Sequence, residues 1–305
     1  MIIVLAAIFV IALIGLRPRK FANGCNTDYL SKDNTICLLG IFAVLIFISH
    51  FTNFIPKESL GVLDKPSVFI TGNLGQLMVA PFLFFSGYGI HQQYKLRGKE
   101  YSRHIPKYRM LKVYLMFILC WLLFAIVALY KNYDFSVADY LLSLVAIRDI
   151  GNTGWYVFVT IVLYLTTYVS IKIFHNHKAF IFYQAILILL FYVLLNKAGW
   201  GPHWYNTMLS YFLGICFSYW KDKFDKLTKT RLATIITFLI SGVLLFVFFY
   251  VFPNYTTLNT DFDYACLNLF FDLCIVCFLK LFSFKSKILT VLGKNVFWIY
   301  MLQML

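Results

Sequence analysis

The chain has 305 residues, of which 61% are hydrophobic, 20% aromatic and only 13% charged, with a mean hydropathy of +0.77. A soluble domain is about half apolar and about a quarter charged. The composition therefore leaves too little polar surface for a water-facing globule, and excludes a cytosolic enzyme, a disordered chain and a disulfide-stapled secreted module. The formal charge of +14 invites a nucleic-acid reading. However, the cations fall in short clusters between apolar runs rather than on one stripe, so no nucleic-acid partner is expected.

In chain order the apolar runs are 1–16, 35–56, 68–90, 110–130, 154–174, 179–195, 205–220, 232–252, 264–282 and 288–305. Each is about the length needed to cross a bilayer as a helix, roughly 17–25 residues. The fold class expected is all-α: one polytopic membrane bundle of about ten transmembrane helices over 1–305. The connections 17–34, 91–109, 175–178, 221–231 and 283–287 are basic, whereas 57–67, 131–153, 196–204 and 253–263 are not. With a few flanking residues counted, 22 of the 27 Lys and Arg lie on one side. That bias puts the basic loops in the cytoplasm and the N-terminus outside.

The first run has no positive n-region and carries its charges after it, at Arg17, Arg19 and Lys20. It reads as a retained span rather than a signal peptide. The last run stops at Leu305 without a polar tail, so the native chain is expected to continue. No internal repeat of the inverted-transporter kind is evident. Cysteines number seven, and Cys37, Cys120, Cys216, Cys266, Cys274 and Cys277 lie in or beside apolar runs, where they read as small buried residues. Cys274 and Cys277 have CxxC spacing inside a span, without zinc context, and no metal site is expected.

Polar residues inside a bilayer must be paired, hydrated or functional. In the second run, His50 lies about 15 residues from the cytoplasmic start, roughly 22 Å along a helix and toward the outer half of the membrane. An imidazole there suits proton transfer during acylation of a hydroxyl. The structural alternative is a headgroup-zone histidine satisfied by Ser49, Asn53 or water. Ser86, Gly87, Tyr88 and Gly89 follow bulky aromatics in the third run, and permit close helix approach or a break lining a cavity. The basic stretch after it, with Arg103, Lys107, Arg109 and Lys112, suits a polyphosphate such as that of coenzyme A, or equally anionic lipid heads. Asp272 sits in the middle of the ninth run with Asn268 on the same face, and must point into the bundle because a lipid-facing carboxylate costs at least about 2.5 kcal/mol. Trp155 and Tyr156, with Trp200, His203, Trp204 and Tyr205, fit an interfacial belt or a sugar-stacking platform.

The order of these pieces, with Gly154-Trp155-Tyr156 and a late Leu292-Gly293-Lys294-Asn295-Val296-Phe297-Trp298-Ile299-Tyr300, resembles the membrane acyltransferase-3 superfamily from about Tyr29 to Leu305. That superfamily includes bacterial O-acetyltransferases of surface polysaccharides. The resemblance implies acyl-CoA, acetyl-CoA in the first instance, as cytoplasmic donor substrate, with no tightly bound cofactor. It also implies a carbohydrate or glycolipid acceptor across the bacterial cytoplasmic membrane. His50 would be general base or acyl carrier; Arg103, Lys107, Arg109 and Lys112 would hold the CoA phosphates; Ser86, Trp155, Tyr156 and Asp272 would shape the substrate cavity. Three departures are visible. The position eleven residues before His50, an Arg or Lys in the family, is Leu39, so either Lys32 or the Arg109 region supplies the cation or activity is weakened or lost. The family's Arg-x-x-Arg is here Arg109-Met110-Leu111-Lys112, and its attached extracytoplasmic hydrolase-like domain has no counterpart. The competing functions are a transporter or exporter of a glycan or lipid precursor, and a non-catalytic relative.

Overall fold

Apolar runs in lipid must satisfy every backbone N–H and C=O internally, which leaves the helix as the default solution. The computed structural model describes residues 2–21, 28–52, 54–56, 59, 61–251 and 260–305, and these are almost entirely helical. Asn53, considered above as a partner for His50, lies outside the described residues. The helices are α1 (Ile2–Gly15), α2 (Lys32–Thr52), α3 (Lys65–Leu74), α4 (Ala80–Arg97), α5 (Lys112–Tyr130), α6 (Val137–Leu144) and α7 (Trp155–Ile173). They continue as α8 (His177–Lys197), α9 (Met208–Leu227), α10 (Arg231–Phe246), α11 (Thr260–Leu281), α12 (Lys287–Lys294) and α13 (Val296–Leu302).

Among the described residues, six helical stretches are long and apolar enough to cross a membrane: Lys32–Thr52, Pro106–Tyr130, Trp155–Ile173, His177–Lys197, Arg231–Val251 and Asp263–Leu281. They leave large aliphatic side chains such as Leu119, Ile126, Leu190 and Val243 exposed, as lipid-facing surfaces do. Several apolar runs read as single spans are built differently. The third is broken between α3 and α4 by a 3₁₀ turn at Gly75–Met78, where Gly75 has φ +46°. A left-handed glycine of this kind ends a helix without steric cost. The last run is divided at Asn295, whose side-chain Nδ2 donates to the Val291 carbonyl (2.9 Å) and competes with the helix ladder.

The basic segment 91–109, expected as a loop, is helical throughout. Helix α4 continues to Arg97, a 3₁₀ turn covers Gly98–Arg103, and a π-helix, Pro106–Leu111, leads into α5. Pro106 has no N–H to give the preceding turn, and a wider turn is one way to accommodate that loss. Consequently His91, which falls in that segment, lies on α4 and is fully buried, with Nδ1 against Ser218 Oγ at 2.8 Å. Hydropathy alone could not place it there.

The chain divides into two compact units, residues 1–85 with 219–299, and residues 86–218 with 300–305. In the first, α1 ends in a short strand, β1 (Leu16–Pro18), paired antiparallel with β2 (Phe282–Phe284) after α11. This ribbon was not anticipated, because it joins segments over 260 residues apart and neither has strand periodicity. Helices α2 and α12 cross backbone to backbone at Gly40 and Gly293. A Cβ on Gly40 would lie 2.6 Å from the Leu289 carbonyl oxygen, and one on Gly293 would meet that of Ile36. Helix α10 packs on α11, and Phe42 meets Phe271 edge-on with ring centroids 5.9 Å apart. At the basic end of this unit, Asp225 accepts hydrogen bonds from Lys280 Nζ (2.8 Å), Lys221 Nζ (2.6 Å) and the Tyr29 hydroxyl (2.9 Å).

In the second unit, α4 and α9 touch at Gly87, where any Cβ would collide with the Tyr211 carbonyl. Nothing lies within 4 Å of a Cβ on Gly89, so only one glycine of the Ser-Gly-Tyr-Gly run is a packing residue. The connection 131–153 contains α6 and then a loop pinned by Trp121 Nε1 donating to Ser143 Oγ (2.7 Å) and by Ile150 packed on Phe124.

Candidate functional site

One face of α7 is polar from end to end. Tyr156, Thr160, Tyr164, Thr167 and Ser170 recur at helical spacing, so they form a stripe about 21 Å long in an otherwise apolar span. Thr160, Tyr164, Thr167 and Ser170 are all buried. The opposite face carries lipid-exposed Leu165. Burying hydroxyls at membrane depth is unfavourable unless each finds a partner, and the partners identify what the stripe is built against.

At the middle of the stripe the Tyr164 hydroxyl bonds Ser86 Oγ on α4 (2.8 Å). One turn on, Thr167 gives its proton to the Leu163 carbonyl (2.9 Å), so Tyr211 on α9 is the donor in the 2.7 Å contact between their hydroxyls. Near the basic end, Gln184 on α8 accepts from Ser170 (2.9 Å) and donates to Thr166 (2.8 Å). At the other end Tyr156 packs against Tyr300, ring centroids 5.1 Å apart. Thr207 and Ser210 extend the polar surface on α9. Both are buried, and their hydroxyls have no partner among the described residues.

Arg109 enters this assembly from the π-helix. Its guanidinium faces the Tyr101 hydroxyl and interacts with Tyr164 and Tyr211. Among the described residues no carboxylate pairs with it. The wider π turn separates the four cations of the basic segment. Arg103, Lys107 and Lys112 are exposed, and Lys107 lies over the Tyr108 ring. Arg109 alone is half-buried and turned inward. A guanidinium has five N–H donors and no acceptor, so a half-buried one ringed by neutral hydroxyls is a receptor for an anionic or strongly polarised oxygen. The structure thus brings Ser86 and Arg109 together with Tyr101, Tyr164, Thr167 and Tyr211. The i, i+4, i+8, i+11 spacing in α7 was the signal that could have revealed Tyr164 and Thr167 from sequence.

The chain belongs to the acyltransferase-3 family. The family's model, described as an acyltransferase domain, matches residues 37–305, which include α2, the Arg109 segment and the whole α7 stripe. No curated protein and no solved structure matches the chain. The protein is therefore an acyltransferase, and its apolar helices make it an integral membrane one.

The remaining sequence candidates of this acyltransferase are distributed over both units. His50 is half-buried in the last turn of α2, in the first unit, and Leu39 is half-buried on the same helix. Asp272 and Asn268 are both buried on α11, also in the first unit, as the cost of a lipid-facing carboxylate requires. Trp155 opens α7 but is buried rather than displayed, packing on His203 with centroids 5.7 Å apart. Trp204 is likewise buried, 4.4 Å from Trp200. These rings spend their faces on one another and on Phe158. Burial pushes the His203 imidazole below its usual range, with nearby Asp149 pulling the other way. Among the described residues no group of three His, Cys, Asp or Glu could hold a metal ion.

Proposed function

We propose that this acyltransferase transfers an acyl group, acetyl in the simplest case, from acyl-CoA to a hydroxyl of a cell-surface or exported glycan. The observation that carries the reading is Arg109, a guanidinium that faces three tyrosines and no carboxylate among the described residues, at the head of a membrane helix, in a chain of the acyltransferase-3 family. Arg103, Lys107 and Lys112 form an exposed basic rim suited to CoA phosphates, and Arg109 takes an anionic or polarised oxygen of the donor. His50 is the proposed base. Its imidazole removes the acceptor hydroxyl proton as that oxygen attacks the thioester carbonyl. The C–S bond then breaks, and the CoA thiolate leaves and is protonated by the imidazolium. Ser86 and the tyrosines shape the donor cavity, and Trp155 and Tyr156 support it; Asp272 is the buried polar residue proposed for the substrate in the first unit.

The topology belongs to the same reading: ten spans, some of them broken helices, in a bacterial cytoplasmic membrane with the N-terminus outside. The 22-to-5 division of cations supports the orientation. A second reading, a non-catalytic relative, draws on Leu39, an apolar residue where the family resemblance calls for a cation. Two experiments separate them. Acetyl-CoA titration of the purified protein should show saturable binding that is lost in Arg109→Ala. NMR of cell-surface glycan should show O-acetyl groups that disappear in His50→Ala. Unchanged O-acetylation in His50→Ala removes the histidine from the chemistry, and absence of acetyl-CoA binding by the unaltered protein removes the donor.

A further inference from the structure

Helix α7 has a second, apolar face, and with α5 it forms a groove unrelated to the polar stripe. The cavity has a volume of about 460 Å³, within the range of roughly 300–1,000 Å³ typical of ligand sites. Its walls are Met110, Leu111 and Tyr114 on the α5 side and Phe158, Ile161 and Val162 on α7. Pro106, from the basic segment, and Val145 and Ala146, from the loop after α6, complete the lining. Tyr164 and Thr167 point the opposite way around α7, so the groove is not a branch of the Arg109 site.

We propose that this groove holds one acyl chain of an anionic bilayer phospholipid, with its headgroup phosphate on Lys107. Three observations lead there. First, the only polar group in the wall is the Tyr114 hydroxyl, and it already donates to the Leu144 carbonyl (3.3 Å), so the groove offers a ligand dispersion contacts alone. Second, the groove is short. The loop after α6 supplies part of the lining at Val145 and Ala146, where Ala146 holds a left-handed backbone (φ +58°). From Pro106 to Tyr114 is eight residues, at most about 12 Å along the axis because the first of them form the π-helix. That is close to one leaflet of a hydrocarbon core of about 30 Å, so the groove is the depth of a single acyl chain rather than of the membrane. Third, the open end is basic. Lys107 is exposed beside Pro106 and one turn before Leu111, and Lys112 follows Leu111 directly. A phosphate at that mouth is complementary to both lysines.

Lys107 also stands in the basic rim proposed above for CoA, so lipid is counted in the absence of acyl-CoA and acetyl-CoA binding is measured separately. The protein is reconstituted into nanodiscs of equimolar phosphatidylglycerol and phosphatidylcholine with identical chains, and its retained lipids are counted by native mass spectrometry. One phosphatidylglycerol per chain is expected, enriched about fivefold over phosphatidylcholine, the ratio that one lysine at a membrane surface supplies. Lys107→Gln should bring the two lipids close to parity. Val162→Trp, which fills the groove, should release the lipid while acetyl-CoA binding persists. Leu111→Trp fills it from the facing wall, should Val162→Trp not fold. Equal retention of the two lipids by the unaltered protein, no retained lipid, or groove-filled variants that keep their lipid would each overturn the proposal.

Discussion

Replacing Asp225 by Ala tests the account of how the first unit is held together at its basic end. The carboxylate serves two lysines and a tyrosine at 2.6–2.9 Å, and the Lys280 side chain is 0% exposed. Removing the anion strands that ammonium in the interior. Breaking a buried pair from one side costs about 3–5 kcal/mol, because the surviving charge keeps its desolvation penalty. Lys221, partly exposed, can swing to solvent and adds little. Thr228 Oγ1, 2.6 Å from Lys280 Nζ, and the Tyr29 and Phe224 rings beneath it keep the cost toward the middle of that range. A loss of about 4 kcal/mol corresponds to a fall in Tm on the order of 10 °C for a protein of this size.

The assay is thermal unfolding in detergent micelles of Asp225→Ala, Lys280→Met and the double variant Asp225→Leu/Lys280→Met. The double variant should recover most of the loss, because no unpaired charge remains. The same carboxylate fixes a pH dependence. Burial alone would raise its pKa, but hydrogen bonds and charge from Lys221 and Lys280 outweigh that and hold it below the ordinary carboxylate range. Its stabilisation is therefore complete above the unfolded value of about 4 and is lost as pH falls through the lower folded value. An Asp225→Ala variant within about 1 kcal/mol of the parent, or a double variant no better than the single, would refute this reasoning.

Three further outcomes follow from packing and geometry. Gly87→Ala and Gly293→Ala should each destabilise by about 1–3 kcal/mol because their Cβ atoms meet carbonyl oxygens, while Gly89→Ala should be neutral or gain up to about 1 kcal/mol in the same melting assay. Ser86→Ala and Tyr164→Phe should each cost about 1 kcal/mol, and the double variant should cost less than their sum, a coupling that a double-mutant cycle of melting temperatures measures. Arg109→Lys should weaken acetyl-CoA binding at least about tenfold by titration, because a point charge does not reproduce the guanidinium fork; unchanged affinity would remove the bidentate role.

Membrane class, most of the long helices and the family are legible in the residues alone, since an unbroken apolar run has one outcome in lipid. Helices α2, α5, α7, α8, α10 and α11 fall within a few residues of their apolar runs for that reason. Hydropathy fails where tertiary contacts supply the partners. Helix α4 carries on past residue 90 because His91 is buried against Ser218 and Phe180, and Tyr94 donates to the Phe174 carbonyl, so polar residues that read as loop become core. The breaks at Gly75 and Asn295 depend on local backbone chemistry that a hydrophobicity count averages away.

The candidate site divides in the same way. Arg109 and Ser86 could be singled out because charge and small residues are conspicuous in an apolar sequence. Nothing local marks Tyr211 or Tyr101. Their role exists only because Gly87 lets α9 approach α4, and because the π-helix turns Arg109 inward while leaving Arg103, Lys107 and Lys112 in solvent. Residue types alone place the chain in a membrane and mark which of its few polar residues are costly there, since that cost is set by the solvent. Which polar residues meet was decided by tertiary structure, because hydrogen bonds are made across helices whose separation in sequence carries no record of their contact.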